Sequence, residues 1–411
     1  MAPPTEPAAA ALSRAACTAL DAADPLARRR ERFDLPEGVI YLDGNSLGAM
    51  PANVAGHLRR LLYEEWGEGL IRSWQRAAWW EKPLALGERI APLLGAAPGQ
   101  VIVGDSTSVD LFKVLVAAAR LRPGRRVVVS EAGNFPTDLY LLESALELTG
   151  GESRLVERDE RAVAAALDEG VAALFLTHVD YRSAAMFDLK EMTALAHGAG
   201  ALMIVDLCHS VGAVPLALDE AGVDFAVGCT YKYLNGGPGS PAFVYAAARH
   251  HEAVRQPLAG WGGHARPFDF EAAYEAAPGI ARFSSGTPSV LALAALEAAL
   301  GAFDGVSVEA LREKSRLLSE LVIGLVAARQ LPGLSLASPR DFACRGSHLA
   351  YRHGAARALQ EALAARGVVA DFRPPDLLRL GLAPLYLRAV DCFDAVEVLA
   401  ELLSAPPFAA A

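Results

Sequence analysis

One lysine of this chain stands where an amine could do covalent chemistry. Lys232 lies between two tyrosines in GCTYKYLNGGPGSP, and the glycines and prolines behind it exclude an ordinary helix or strand. Asp206, 26 residues earlier, closes the apolar run ALMIVD, so we expect its carboxylate to be partly buried. A partly desolvated lysine amine can form a Schiff base with an aldehyde. Core-edge aspartates are usually capping or ion-paired groups, so Asp206 alone does not establish a site.

The other lysines have ordinary explanations. The 38 basic residues include only five lysines, a shortage that a GC-rich coding bias explains. Lys190 begins a helical pattern, Lys82 and Lys314 sit among charged residues, and Lys113 lies in an amphipathic helix. We expect all four on solvated faces, which leaves Lys232 as the candidate for chemistry.

Pyridoxal 5′-phosphate (PLP) requires the combination found around Lys232. The cofactor needs a lysine for its aldehyde and an acidic group for its pyridine nitrogen. Its phosphate is bound best by hydroxyls and N–H groups at a helix N-terminus, and 105–108 (DSTS) offers hydroxyls where a strand turns into a helix. These hydroxyls also suit helix capping. Phe135 could stack on the ring or fill the core, and His209 lies three residues after Asp206.

Composition excludes several other classes of function. A formal net charge of −10 argues against nucleic acid as a partner, and the start of the chain supports neither a signal peptide nor a membrane span. Five cysteines without CxxC spacing indicate reduced, mostly buried thiols and predict no metal site. We therefore expect a cytoplasmic protein. GxxxxGK[ST] and HExxH are absent from the sequence, and the glycines after Lys232 are a weak dinucleotide signal.

Strands that alternate with helices must position these residues. Apolar strands are predicted at 101–104, 126–130, 173–177, 201–206, 225–227 and 242–247, with helices at 108–121 and 188–199. Strands that are apolar on both faces predict an α/β fold, a mostly parallel sheet sandwiched by helices. Ligands collect at the carboxyl ends of such strands, where 105–108, 134–138, 177–178, 206–209 and 230–232 fall.

The C-terminal part has a different pattern. After about residue 291, long amphipathic helices alternate with short strands near 347–351, 367–371 and 378–381, and a helix at 390–403 closes the chain. We predict three parts: an N-terminal segment (1–55) that contributes to the active site and the small domain, a large PLP-binding domain (56–290), and a small α+β domain (291–411).

Motifs spread over the chain resemble those of the kynureninase family, within the fold-type I PLP enzymes. The segment 205–239, VDLCHSVGAVPLALDEAGVDFAVGCTYKYLNGGPG, is similar to the family's PLP–lysine region. The other matching motifs are YLDGNSLGAMP (41–51), LIRSWQRAAWW (70–80), NFPTD (134–138), GWGGHARPFDF (260–270), FSSGTPS (283–289) and LLRLGLAPLY (377–386). The lysine and aspartate spacing is shared across fold type I, whereas GNSLG, FPTD, YKYLN and GWGGH together are more specific.

The resemblance implies a role for each matched residue. Lys232 would form the Schiff base, Asp206 would pair with the pyridine nitrogen, and Tyr231 would serve at the phosphate end and as a proton donor. The residues implied at the cofactor are Thr107, Ser108, Phe135, Pro136, Thr137, Asp138, Thr177, Asp206, His209, Tyr231, Lys232, Trp261 and Thr287. Arg379 would grip the substrate α-carboxylate, with Arg373 as its nearest rival, and Ser73 and Trp74 would line the aromatic pocket. Trp261 and Thr287 are similar to positions that reach a neighbouring subunit, which implies a homodimer with shared active sites.

The activity implied is hydrolysis of L-kynurenine, or its 3-hydroxy form, to the corresponding anthranilate and L-alanine, in tryptophan catabolism. The nearest rival is another fold-type I activity, a cysteine desulfurase or class V aminotransferase. A desulfurase needs a mobile nucleophilic cysteine late in the chain, where only Cys344 and Cys392 lie. A non-catalytic PLP-binding regulator is the rival from a different class, and the intact lysine, aspartate and arginine argue against it.

Overall fold

The computed structural model describes residues 13–408. Its strands are β1 (Ile40–Tyr41), β2 (Val101–Val103), β3 (Val127–Glu131), β4 (Glu152–Val156), β5 (Val171–Thr177), β6 (Leu202–Asp206), β7 (Phe225–Gly228), β8 (Phe243–Ala246), β9 (Ser335–Leu336), β10 (His348–Arg352), β11 (Val368–Val369), β12 (Asp371–Arg373) and β13 (Leu377–Gly381). Its α-helices are α1 (Arg14–Ala23), α2 (Asn53–Arg60), α3 (Ser73–Arg76), α4 (Lys82–Leu94), α5 (Thr107–Leu121), α6 (Pro136–Thr149), α7 (Glu160–Ala166), α8 (Leu189–Gly198), α9 (Leu218–Ala221), α10 (Val290–Leu300), α11 (Val308–Arg329), α12 (Ala356–Ala365) and α13 (Ala389–Leu403).

A seven-stranded sheet forms the centre of the larger part. Its strand order is β2-β8-β7-β6-β5-β3-β4. The pairs from β7 through β4 are parallel, and β8 runs antiparallel to both β7 and β2. Every residue of β5 and β6 is buried, as expected for central strands covered by helices on both faces. The predicted α/β fold with a mostly parallel sheet is thus confirmed.

Local sequence signals set the helices that face the carboxyl edge of this sheet. Ser106 caps α5, its hydroxyl accepting the N–H of Val109. Pro136 is the first residue of α6, where a missing N–H costs nothing, and Asp138 places a carboxylate in its first turn. Both helices therefore begin beside the strand ends that the sequence singled out.

A second, four-stranded sheet lies in the C-terminal part, with strand order β12-β13-β10-β9. It is antiparallel throughout. The N-terminal strand β1 pairs in parallel with β11, which ties residues 40–41 to the C-terminal part. This pairing supports the predicted contribution of the N-terminal segment to the small domain, while the boundaries at 55 and 290 stay predictions.

The predicted strands 101–104, 126–130, 173–177, 201–206, 225–227 and 242–247 agree with the observed ones to within about two residues. Strands β1, β4 and β9 were not predicted, and one predicted strand was wrong. Strand β4 was missed because ESRLV is only half-buried at the sheet edge, and the predicted strand 367–371 is in fact two short strands, β11 and β12, in different sheets.

The apolar stretch 290–303 is largely buried, as in a core helix. Within residues 13–408, no single helix is long and apolar enough to cross a membrane, although the bent pair Val290–Phe303 and Val308–Arg329 meets that test on length and composition.

Candidate active site

Adjacent parallel strands bring the predicted site residues to one edge of the large sheet. Thr177 and Asp206 are the last residues of β5 and β6 and are register partners. Lys232 follows β7 by four residues, in a segment without helix or strand. The hydroxyl of Thr177 donates to Asn134 Oδ1 at 2.5 Å, so the loop before α6 is held against the same edge.

Two buried carboxylates lie side by side at this edge. Asp138 and Asp206 are only 3% and 5% exposed. Asp206 Oδ1 accepts the backbone N–H of Cys208 at 2.5 Å, which fixes its orientation. Burial, and then the neighbouring carboxylate of Asp206, raise the pKa of Asp138 well above its ordinary value. Asp138 therefore holds its proton more tightly than an ordinary aspartic acid does, next to the Asp206 carboxylate.

The Lys232 amine lies 3.0 Å from Nε2 of the buried His209. Burial, and then the nearby Lys232 cation, lower the pKa of His209 well below its ordinary value, so the imidazole is neutral and accepts from the amine. The amine also lies 5.8 Å from the ring centroid of Tyr231. Burial raises the pKa of the Tyr231 phenol, which leaves it a hydrogen-bond donor.

Backbone contact closes the loop around Lys232 against the N-terminal GNSLG motif. The N–H of Gly48 donates to the Tyr231 carbonyl at 2.7 Å. A Cβ at position 48 would lie 2.3 Å from the Lys232 carbonyl oxygen, so only glycine allows this approach. The GNSLG motif therefore packs directly against the Lys232 loop.

The start of α5 supplies the hydroxyl-rich end of the site. Thr107 and Ser108 are the first two residues of the helix, whose free N–H groups and dipole favour an anion. Thr107 Oγ1 lies 3.9 Å from Cys208 Sγ, so this helix start faces the end of β6. The arrangement suits a phosphate group.

Lys113 corrects one expectation from the sequence. It is 1% exposed rather than solvated, and its amine contacts Asp105 Oδ2 at 2.5 Å, the Phe283 carbonyl at 2.7 Å and Asp110 Oδ1 at 3.4 Å. Burial raises the pKa of Asp110 to about 8, so Asp105 is the carboxylate that balances the ammonium. Asp105 has a φ of +50° in the turn before α5, and Lys113 links that turn to the 283–287 loop.

The prediction for Lys82 and Lys314 was also wrong, because Lys82 is mostly buried against Glu297 and Lys314 is buried against Asp24. Lys190 is exposed as predicted.

We predict that Lys113→Met weakens both the fold and cofactor binding. The variant keeps the apolar stem but leaves the Phe283 carbonyl without its donor and Asp105 Oδ2 with the Ser285 hydroxyl at 3.4 Å, which costs about 1–3 kcal/mol of unfolding free energy. The start of α5 loses its anchor, so the Kd for PLP should rise. Urea unfolding and PLP titration measure both effects, with Lys190→Met as the surface control. An unchanged Kd would show that Lys113 plays no part in shaping the phosphate end.

Arg379 lies on β13 and is 1% exposed. Its guanidinium forms an ion pair with Asp371, donates to the Tyr181 carbonyl, and donates to Ser46 Oγ at 2.9 Å. Arg373 also reaches Asp371, at 2.9 Å, but its side chain is about one-third exposed. The structure thus directs Arg379, rather than its rival, into the interior between the two sheets.

A carboxyl group next to this arginine should make stability depend on pH. Burial, and then the Asp371 charge, raise the pKa of Asp43 to about 6, whereas an unfolded aspartate titrates near ~3.9. The folded protein therefore holds a proton that the unfolded chain has lost, and stability falls as pH rises through this interval.

We predict that Asp43→Asn removes this loss. The unfolding free energy of the variant minus that of the parent protein should increase by about 1–3 kcal/mol between about pH 4.5 and about pH 7.5. Denaturant unfolding at both pH values measures it. A constant difference would mean that Asp43 does not titrate in this interval.

The side chains of Phe135 and of three other predicted residues contact residues other than Lys232, Asp138 and Asp206. Phe135 is 44% exposed and packs edge-on against Tyr181, at 5.1 Å between ring centroids. Ser73 is buried, and its hydroxyl donates to the Glu65 carbonyl at 2.6 Å. The ring of Trp74 packs against that of Trp80, with 6.3 Å between the centroids. The ring of Trp80 in turn packs against that of Trp261, with 4.7 Å between the centroids. Trp74 and Trp261 thus belong to one aromatic cluster.

Thr287 is exposed in the loop before α10, where it makes none of the contacts of the Lys232 site described above. Pro136 and Thr137 form the first turn of α6 with Asp138.

Sequence reasoning missed two residues that the structure places at the centre. Asn134 accepts from Thr177 and orients its own loop by accepting the Phe135 N–H at 2.7 Å. His348 is fully buried, with its ring 5.4 Å from that of His209. Asn134 was visible within the NFPTD motif, whereas His348 lies in an ordinary strand pattern, RGSHLAY, that gave no signal.

The residues present fit PLP. A lysine amine, a buried carboxylate pair and a hydroxyl-bearing helix start converge at the carboxyl edge of one parallel sheet, and His209 Nδ1 is buried without a hydrogen-bond partner among residues 13–408. This fold and site define the class of fold-type I PLP-dependent enzymes.

Comparisons with known proteins place the chain within that class. The model of the kynureninase C-terminal domain matches residues 311–399. The chain is 48% identical over 402 residues to a kynureninase from Pseudomonas fluorescens, covering 96% of each chain. It is 47% identical over 409 residues to one from Burkholderia pseudomallei strain 1106a, covering 97% of this chain and 98% of the relative. The chain belongs to the kynureninase family.

Solved structures share the fold at low sequence identity. The apo cysteine desulfurase from Thermococcus onnurineus NA1 superposes with a TM-score of 0.79 at 16% identity, covering 91% of this chain and 97% of that one. A mutant of the cystine lyase C-DES with glycine covalently linked to its PLP cofactor gives 0.80 at 17% identity, covering 90% and 99%. At these identities the likeness concerns the fold.

Proposed function

We propose that this chain is a PLP-dependent hydrolase that splits L-kynurenine into anthranilate and L-alanine, in tryptophan catabolism, with Lys232 and Asp206 at its centre. Near-full-length similarity to kynureninases supports the substrate and the C–C bond hydrolysis. The single observation that carries the site is the Lys232 amine next to a neutral His209, at the strand edge that holds the Asp138–Asp206 pair.

Each residue has a task that its surroundings allow. When bound, PLP supplies an electron sink for bonds broken next to the amino-acid Cα. Lys232 would hold the cofactor, and its amine is the group that would move the Cα proton. Asp206 would keep the pyridine nitrogen protonated, and the neighbouring Asp138, whose pKa is raised by burial and by Asp206, would hold the Asp206 carboxylate in place. Arg379 binds the substrate carboxylate through its guanidinium, a geometry suited to two parallel hydrogen bonds.

Tyr231 serves as a proton donor in the later steps, because its buried phenol stays protonated. Tyr231→Phe keeps the ring and removes only the hydroxyl. We expect its kcat to fall by about 10²-fold, a usual size for a lost acid or donor. Steady-state anthranilate formation measures this, and unchanged turnover would contradict the assignment.

The working unit is a homodimer with shared active sites. Trp261 is 39% exposed and Thr287 is exposed, as residues that complete a neighbour's site would be in a single chain. Large apolar side chains are exposed nearby, among them Phe268 at 60% and Phe270 at 80%, a pattern typical of a surface that is covered on assembly.

Mixing Lys232→Ala subunits with Trp261→Ala subunits tests this arrangement. If Trp261 serves the partner's site, half of the random dimers carry one intact site each, which restores about a quarter of the parental activity. Restoration to no more than the sum of the two separate variants would contradict shared sites.

An assay with two substrates separates this function from its nearest rival. Of the two late cysteines, Cys392 is buried in α13, and Cys344 is exposed in the turn Phe342–Cys344. We expect release of anthranilate from L-kynurenine and no release of sulfide from L-cysteine. Sulfide release without anthranilate would favour a desulfurase, and no turnover by the PLP-loaded protein would favour a regulator. The cytoplasmic location stays a prediction from the sequence.

A further inference from the structure

A group of buried polar side chains lies between the small sheet and the Lys232 site. His348 on β10 pairs with Gly381 on β13, and Arg379 lies two residues further along β13. Side chains alternate along a strand, so His348 and Arg379 share one face of the small sheet. Gly381, opposite His348, has no side chain, and the Asn45 amide occupies the space beside it. A Cβ atom on residue 381 would lie 1.9 Å from Asn45 Oδ1.

The polar atoms of this group lack hydrogen bonds although they are buried. Asn45 and His348 are each 0% exposed and His209 is 5% exposed. Both amide atoms of Asn45, both ring nitrogens of His348 and Nδ1 of His209 have no partner with good hydrogen-bond geometry among residues 13–408, although the Tyr181 backbone lies near the His348 ring. Leaving one such buried group unpaired costs about 1–3 kcal/mol, so five of them close together indicate a polar molecule that they bind.

The group adjoins the Lys232 amine, and its charge state suits a neutral ligand. The rings of His348 and His209 are 5.4 Å apart, and His209 contacts the Lys232 amine. Burial, and then the Arg379 charge, lower the pKa of His348 well below its ordinary value, so both imidazoles are neutral. Each neutral imidazole offers one donor and one acceptor, and the Asn45 amide offers both kinds. A water molecule needs two to four partners of this mixed kind.

We propose that Asn45, His209 and His348 bind the water molecule that is consumed when the substrate is hydrolysed. The inference rests on the proposed function and assigns the site of its second reactant. Addition of this water to the carbonyl carbon next to the aromatic ring forms one C–O bond and breaks the carbonyl π bond. The proton that the water loses ends on the former carbonyl oxygen, so no other reactant is needed.

His348→Leu in the PLP-loaded enzyme separates this role from a general one. Exchange of the Cα proton of L-alanine with deuterium from the solvent requires Lys232 and the cofactor but no water addition to a carbonyl. We expect kcat for anthranilate release to fall by about 10- to 100-fold, while the rate of alanine exchange changes less than about twofold. His348→Gln keeps a donor and an acceptor and should recover part of the lost kcat.

Tyr351→Phe is the matched control, because Tyr351 is buried on the same strand but on its opposite face. It should leave both rates unchanged. Equal losses of anthranilate release and alanine exchange in His348→Leu would assign His348 a general structural role and overturn the proposal, as would an unchanged kcat. If the parent protein exchanges alanine but forms no anthranilate, the proposed function itself fails, and this proposal fails with it.

Discussion

Lys232→Ala is expected to abolish hydrolysis, with kcat reduced by at least about 10³-fold. The half-buried amine next to Tyr231 and His209 is the group to which the cofactor aldehyde can be joined. Alanine removes both the covalent attachment and the base that moves the Cα proton. The fold should survive, because the segment around Lys232 is held mainly by backbone contacts such as the one from Gly48.

The covalent attachment of the cofactor to Lys232 can be measured separately from activity. The PLP-loaded protein is reduced with borohydride and its peptides are analysed by mass spectrometry. The parent protein should carry the cofactor on the peptide that contains Lys232, and the variant should carry none. Lys190→Ala is the control, since Lys190 is exposed and forms a surface ion pair with Glu220. Cofactor retained covalently in Lys232→Ala would show that another amine holds it.

Asp206→Asn is expected to have the second largest effect, with kcat lowered by roughly 10²- to 10⁴-fold while PLP stays bound. Asparagine preserves shape but cannot keep the pyridine nitrogen protonated, so the ring accepts electrons poorly. The backbone N–H of Cys208 can still donate to the amide oxygen, which preserves the local fold.

Asp138→Asn is the matched comparison at the neighbouring carboxyl. Because burial and the Asp206 charge raise the pKa of Asp138 and so favour its protonated form, an amide replaces that form with little electrostatic change. We therefore expect a loss in kcat at least about tenfold smaller than for Asp206→Asn. Equal losses in the two variants would mean that the carboxyls share the charge instead of dividing the roles between them.

The sequence allowed the large sheet and its reactive edge to be predicted because both depend on local patterns. Strands such as β5 and β6 are continuous apolar runs, and the polar residue that ends each one, Thr177 or Asp206, stands out against them. Chain order then suffices, since the carboxyl ends of parallel strands meet at one edge. The family resemblance added Arg379 and the expectation of a shared site.

Features that depend on packing between distant segments could not be predicted in this way. In the sequence, Lys113 falls on the polar face of an amphipathic helix. Its burial follows from contacts of its amine with Asp105 and with the Phe283 carbonyl, which the sequence pattern does not reveal. The place of His348 beside the site depends on the pairing of β10 with β13 and on the packing of Asn45 against Gly381. The pairing of β1 with β11 likewise joins segments more than 300 residues apart.

The most direct test of the central claim is the ratio of products formed from L-kynurenine by the purified, PLP-loaded protein. Hydrolysis of the C–C bond at the Lys232 site gives anthranilate and alanine in equal amounts, and both should be absent with Lys232→Ala. Amino-group transfer would consume kynurenine without forming anthranilate. Equimolar anthranilate and alanine is the result we predict; consumption of kynurenine without anthranilate, or anthranilate formed equally well by Lys232→Ala, would contradict it.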